Sequence, residues 1–366
     1  MNISCIEHHS DTGWTRPWPD VANPSQALVL VFGSAKTYRD GPGPLQELRA
    51  ALPGALIAGC STAGEIAGTR VRDGSLSVAE FASTRLRGAV ASCDPGDDSY
   101  QEGAALGDRL DEPDPTGVLV LSDGLHVNGS ELVRGITGRL GRGLPVTGGL
   151  AGDGDRFEQT WVIVDGRPVE GDVTGVGFCG DSVRFHYGSQ GGWDIFGNER
   201  LITRSEGNVL YELDKRPAFD LYKQYLGDRA EGLRATGLLF PLAIRQDPDD
   251  RFLVRSLTFA GDVPEGSWAQ LMQANFDRLI GGAEQAAHQA RKGAAGPFLS
   301  IAISCVGRRL VLGDRAEEEV EVTAECLPAG SHQVGFYSYG EISPYSDGSC
   351  DLHNQTMTLT TISEAW

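Results

Sequence analysis

Apolar residues in this chain come in short runs bounded by glycine, proline and small polar residues, a pattern that predicts strands alternating with helices. Residues 27–32, Ala-Leu-Val-Leu-Val-Phe, are an uninterrupted apolar run and read as a buried strand. A helix is predicted over 44–52: Pro44 suits its first turn, Leu45, Leu48 and Leu52 share a face, and Pro53-Gly54 stops it. Residues 55–59 return as a strand, and strand–helix–strand with short links is the grammar of a parallel α/β sheet. The same order recurs over 117–147. A strand at 117–121 leads into a helix whose Leu132, Val133, Ile136 and Leu140 face inward, and 145–147 return as a strand. Residues 75–82 and 85–92 alternate loosely and predict antiparallel strands, a helix covers about 100–110, and 160–186 read as further strands with Asp-Gly breaks.

The composition shifts after Gly191-Gly192-Trp193. A helix over 217–226 opens a second unit, with strands at 238–244, 252–257 and 298–304. The strongest helical period covers 268–292, where Leu271, Met272, Phe276, Leu279, Ile280, Ala283, Ala287 and Ala290 recur every 3.6 residues. Gly281-Gly282 interrupts it at a cost of about 1 kcal/mol per glycine. A chain of 366 residues is comfortable for two domains. The expectation is a loose N-terminal arm over 1–24, one domain over 25–200 and a second over 201–366. The fold class is α/β: two related mixed α/β domains with strand-end glycine turns around a shared pocket.

That pocket is suggested by a phrase that occurs twice. Gly59-Cys60-Ser61-Thr62-Ala63-Gly64-Glu65-Ile66 returns as Gly335-Phe336-Tyr337-Ser338-Tyr339-Gly340-Glu341-Ile342, and a third glycine-rich phrase, Gly148-Gly149-Leu150-Ala151-Gly152-Asp153, lies between them. Each follows a predicted strand. Glycine there permits positive φ and close backbone approach, and strand ends are where α/β sheets bind ligands. Positive φ is expected at Gly59, Gly64 and Gly340, and Glu65 and Glu341 are expected across one cleft.

Composition narrows the function classes. With 40% hydrophobic residues the chain builds full cores. A net charge of −19 argues against nucleic acid and anionic membrane surfaces, which need clustered Lys and Arg. The seven cysteines are dispersed without a Cys-x-x-Cys pair, which reads as reduced thiols rather than a disulfide framework or zinc site. Residues 1–14 hold no apolar signal-peptide core, and 27–32 is too short to span a bilayer. Together these predict a cytoplasmic protein with no membrane insertion.

Candidate chemistry is sparse. No phosphate-binding loop, dinucleotide fingerprint, EF-hand or His-Glu-x-x-His motif occurs. Cys60 or Ser61 at a strand end suggests a hydrolase or amidotransferase nucleophile, but Ala63 stands where a nucleophile elbow has glycine. A tight turn capped by Ser61 and Thr62 is the structural alternative. Asn128 and Glu131 fit a helix capping box. Asp123, ahead of that cap, is a candidate hydrogen-bond acceptor for a ligand. The ligand-binding set is Gly59, Cys60, Ser61, Thr62, Glu65, Asp123, Gly148, Gly149, Tyr339, Gly340, Glu341 and Asn354. Haem b is a candidate cofactor, because one imidazole in an aromatic pocket suffices to hold its iron. His353, near Tyr337, Tyr339 and Tyr345, is the first choice as ligand, His126 the second and His186 the third.

Taken together, residues 27–33, 59–66, 122–132 and 148–153, then 217–227, 240–244, 304–309, 335–344 and 352–358, resemble the FIST family, with paired FIST-N and FIST-C domains. The resemblance implies a non-catalytic signal-transduction input module that binds a small ligand, amino acids among the proposed ones, and acts through a partner protein. A haem-containing branch implies a nitric oxide sensor working with a sensor histidine kinase or a cyclic-di-GMP enzyme. Homo-oligomerisation is left open.

Overall fold

Three parallel strand–helix–strand units carry the molecule. The computed structural model describes residues 2–18, 23–36, 43–82, 86–89, 98–111, 115–141, 143–226, 239–245, 253–255, 262–293 and 296–364. The first unit pairs Ala27–Ser34 with Leu56–Thr62 around the helix Gly43–Ala51. The second pairs Pro115–Ser122 with Val146–Leu150 around Gly129–Leu140. The third pairs Leu299–Cys305 with His332–Ser338 around Val306–Leu312 and Ala316–Glu325. The first two follow the predicted boundaries closely, because apolar strands and capped amphipathic helices are local signals. Asn128 caps as expected, accepting from the amides of Ser130 and Glu131. Its own N–H goes to Ser99 Oγ, so the reciprocal half of a capping box is absent.

Four sheets result, one of seven strands and three of six among the described residues. Each unit lies in its own mixed sheet, and the fourth sheet, built from strands between Asp194 and Gln273, is antiparallel throughout. The mixed α/β expectation is met. The sheets exchange strands: Glu65–Ala67 leaves the first unit and pairs antiparallel with His332–Ser338 of the third. Gly340–Pro344 leaves the third unit and pairs antiparallel with Val146–Leu150 of the second. N- and C-terminal segments also share a core, in which the rings of Phe32 and Phe336 stack with centroids 4.9 Å apart. Among the described residues, no helix is long and apolar enough to cross a membrane.

Two expectations are corrected. Asn2–His9, read as part of a loose arm, is an eight-residue strand registered against Ser75–Ala82. Ile6 packs into one core while Ile3 and Cys5 pack on another, so the strand is held on both faces although its apolar pattern is weak. The predicted helix over 268–292 is a strand, Trp268–Gln273, followed by the helix Phe276–Arg291. Ala269 and Leu271 alternate inward, and Asn275 caps the helix by accepting from the Arg278 amide. Gly282 stays helical for contact: a Cβ there would come within 2.0 Å of the Gly191 carbonyl oxygen. Of the predicted strands at 85–92 and 252–257, only Leu86–Ala89 and Leu253–Arg255 fall among the described residues.

Candidate functional site

The three glycine phrases finish the second strands of the three units and meet there. Gly152 N–H donates to Ser61 O at 3.0 Å, and Ala63 N–H to Tyr337 O at 2.8 Å. Tyr337 N–H donates to Gly64 O at 2.9 Å, and Tyr339 N–H to Leu150 O at 3.2 Å. One glycine per phrase has the same task. Gly59, Gly148 and Gly335 stand opposite Val31, Val120 and Ala302, and a Cβ would come within 2.1, 1.8 and 1.8 Å of those residues' carbonyl oxygens. The repetition records a strand approach that only glycine permits. Left-handed φ is present at Gly64 (+138°) and Gly148 (+144°), while Gly59 and Gly340 lie outside that region, contrary to expectation. Gly59 answers to the carbonyl of Val31; Gly340 fits between the side chains of Leu352 and Leu150.

The two glutamates are bound alike. Glu65 accepts from Thr62 Oγ1 at 2.5 Å on one oxygen and from the amide and hydroxyl of Ser75, at 2.9 and 2.8 Å, on the other. Glu341 accepts from Ser338 Oγ at 2.6 Å, then from the amide and hydroxyl of Thr356 at 3.1 and 3.0 Å. Both are buried, and burial pushes each carboxyl up to about 7 against the opposing hydrogen bonds. Glu65 lies in the sheet of the third unit and Glu341 in that of the second. They brace the two strand exchanges, and neither side chain is exposed.

Asp123 is buried and saturated. Its Oδ1 takes the amides of Leu125 and His126 and His126 Nδ1 at 2.8, 2.8 and 3.0 Å, and its Oδ2 takes Thr160 Oγ1 at 2.6 Å. It shapes the loop Gly124–His126 at the junction's surface, where a Gly124 Cβ would lie 1.9 Å from Ala151 O. Cys60 is buried, and burial holds its thiol well above the ordinary range, away from the thiolate a nucleophile needs. Ser61 Oγ is likewise buried and accepts from the Trp161 amide at 3.0 Å. Asn354 is buried, and its Nδ2 has no hydrogen-bond partner among the described residues. His353 Nε2 sits 2.9 Å from Ser343 O, and its ring leans on Tyr345 with centroids 4.6 Å apart.

The outer face of the junction holds the predicted Tyr339 together with Phe157, Arg309 and Asp73, which sequence reasoning did not single out for the site. Tyr339 OH donates to Asp153 Oδ1 and accepts from the Asp153 and Phe157 amides, and its ring stacks on Phe157 with centroids 4.3 Å apart. Arg309 grips both oxygens of Asp73 at 2.8 and 2.6 Å and donates to Ala63 O at 2.5 Å, its guanidinium filling the space beside Gly64. The guanidinium holds the Asp73 carboxyl below its usual range. Its neighbour Arg308 points inward to the buried Glu319, with Nη2 at 2.7 Å and Nε at 3.0 Å from Oε2. Adjacent arginines after a buried strand were the available signal, since so much charge beside a core needs partners. A cleft of about 640 Å³ lies elsewhere, lined by Arg49, Pro53, Leu56, Asp165 and Gly166, at the opposite end of Leu56–Thr62 from the phrases.

Residues 27–216 match the FIST N domain and residues 218–344 the FIST C domain. An alignment 164 positions long is 29% identical to the uncharacterized protein MJ1623 of Methanocaldococcus jannaschii, covering 38% of this chain and 32% of that protein. The match thus spans about a third of the length of that curated relative. With both domains present in tandem, the chain belongs to the FIST family of sensory-domain proteins.

Proposed function

We propose that this chain is the input module of a signalling system and binds a small zwitterion, of amino-acid chemistry, on the outer face of the three-phrase junction. The supporting observation is the convergence of strand ends from both FIST domains beside a part-exposed ion pair, Arg309–Asp73. A guanidinium offers a carboxylate two parallel hydrogen bonds, and an aspartate accepts an ammonium. Tyr339 and Phe157 supply an aromatic wall, and Asp123 fixes the adjoining loop. Gly59, Cys60, Ser61, Thr62, Glu65, Gly148, Gly149, Gly340 and Glu341 act from beneath as the rigid floor. The output passes to a partner protein, a sensor histidine kinase or a cyclic-di-GMP enzyme by family resemblance.

Thermal-shift and calorimetric titration with free amino acids, their decarboxylated amines and their deaminated acids tests this reading. Stabilisation by one or more amino acids, lost with either truncated analogue and lost in Arg309→Ala, is expected. An unresponsive protein, or a response unchanged in Arg309→Ala, refutes it.

The haem reading is favoured by one observation, at His126 rather than the first-choice His353. The buried Asp123 carboxylate holds His126 Nδ1 at 3.0 Å while the imidazole is 58% exposed, so Nε2 is presented outward in the carboxylate-oriented manner of a metal-bound histidine. The Nε2 of His353 faces a carbonyl instead. Bound haem would supply an iron site for a diatomic gas. A haem absorption band that persists in His353→Ala and disappears in His126→Ala would establish this second reading; protein that takes up no haem removes it.

A further inference from the structure

A cluster of metal-ligating side chains lies away from the junction, between the helices Phe276–Arg291 and Ala316–Glu325. Glu284 and His288 are four residues apart on the first helix, which places them on one face a turn apart. Cys326 is the C-cap residue of the second. Their ligand atoms all lie within 4.8 Å of one another: Cys326 Sγ is 3.8 Å from His288 Nε2, which is 3.7 Å from Glu284 Oε1. His288 Nε2 lies within sulfur hydrogen-bond reach of Cys326 and within ion-pair distance of Glu284, so the three side chains already converge on one another. Metal–ligand bonds of about 2.3 Å to sulfur and about 2.0 Å to nitrogen and oxygen place tetrahedral ligands roughly 3.3–3.5 Å apart. The His288–Cys326 and His288–Glu284 separations, 3.8 and 3.7 Å, need only a few tenths of an ångström to match, and the Glu284–Cys326 pair, within 4.8 Å, closes by rotation of the exposed Glu284 side chain.

We propose that Glu284, His288 and Cys326 form a binding site for a zinc-type divalent ion with one coordination position open to solvent. Thiolate and carboxylate offset the ion's charge, and a neutral imidazole completes a donor set of the borderline softness that zinc takes. Glu284 and His288 are 55% and 57% exposed, which leaves the ion accessible, whereas Cys326 is buried at the helix end. Arg291 Nη1 donates to the Cys326 carbonyl at 3.0 Å and fixes the backbone that carries the thiol. Cysteine binds a metal as its thiolate, so binding releases the thiol proton. The ion would tie the ends of two helices that both pack on the main core. No motif announced the site, because its ligands come from two helices, with His288 and Cys326 38 residues apart, and share no short spacing.

Cobalt(II) added to chelator-treated full-length protein is the probe. The expected result is one equivalent bound with a sulfur-to-cobalt charge-transfer band, displaced by zinc. Cys326→Ser should abolish the band, and His288→Ala, at an exposed position where folding is not at stake, should weaken binding at least about tenfold. Zinc should raise the melting temperature of wild type and leave Cys326→Ser unmoved. Wild-type protein without a stoichiometric cobalt band overturns the proposal, and so does an identical band in Cys326→Ser.

Discussion

Consecutive arginines, Arg308 and Arg309, serve the two copies of the repeated phrase in opposite ways. Arg308 and Glu319 are both fully buried, and Tyr337 OH and Ser304 Oγ add hydrogen bonds to Glu319 at 2.9 and 2.8 Å. The second copy is therefore backed by a sealed network. Arg309 instead lies beside Gly64 of the first copy and reaches an Asp73 side chain that is 75% exposed. Glu65 and Glu341 are nevertheless held by the same three kinds of donor. The same local hydrogen bonding thus braces a strand exchange beside a fully buried ion pair in one copy and beside a part-exposed one in the other.

Removing a partner from the sealed network is expected to have the largest effect. Glu319→Ala leaves the Arg308 charge buried and unpaired and should cost about 3–5 kcal/mol by denaturant unfolding. A loss under about 1 kcal/mol would show that the network is not sealed.

Next come the glutamates. Glu65→Ala and Glu341→Ala each strand buried donors and should cost about 1–3 kcal/mol. Their pH dependence runs opposite to that of an ordinary paired carboxylate. The folded carboxyls, near 7, bind protons more tightly than the unfolded ones near 4.5, so their stabilisation is complete below about 4.5 and is lost as pH rises to about 7. Glu65→Gln and Glu341→Gln mimic the protonated form and should each flatten the stability curve between those values. An unchanged slope in both would refute the raised carboxyls.

Smaller again is the contrast between the phrase glycines. Gly64→Ala strains a left-handed backbone and displaces Arg309, for about 1–3 kcal/mol. Gly340→Ala meets only the tips of leucine side chains, 3.0 Å away at the nearest, and should cost less. The reverse order would break the comparison. Asp73→Asn should move stability by about 0–1 kcal/mol, as exposed pairs do, while freeing Arg309 on the surface. A loss as large as that of Glu319→Ala would mean that the outer pair is structural.

Some of the candidate site was legible in the chain and some was misread. The glycine phrases were found because strand-end glycines are a local signal, and they do come together. Close backbone approach was expected of them, but not its partner: Gly59, Gly148 and Gly335 answer to a carbonyl on a paired strand, and no sequence window contains both partners. Glu65 and Glu341 were read as facing one cleft because their phrases repeat at strand ends. Ser75 and Thr356, ten and fifteen residues downstream, satisfy them in the interior.

Sequence by itself determined the acidic charge balance, and also the alternation of strands and helices and the Asn128 cap, since these two depend on neighbours within a few residues. Only the tertiary structure decided that Asn2–His9 is a sheet strand and that Trp268–Gln273 is not helical. It alone decided that the two Gly-Glu-Ile strands cross into other units' sheets, and that Arg308 turns inward while Arg309 turns out. Those outcomes depend on which strand lies alongside and which charge lies within reach, from 11 to 236 residues away for the two arginines. Local propensity contains no information about either.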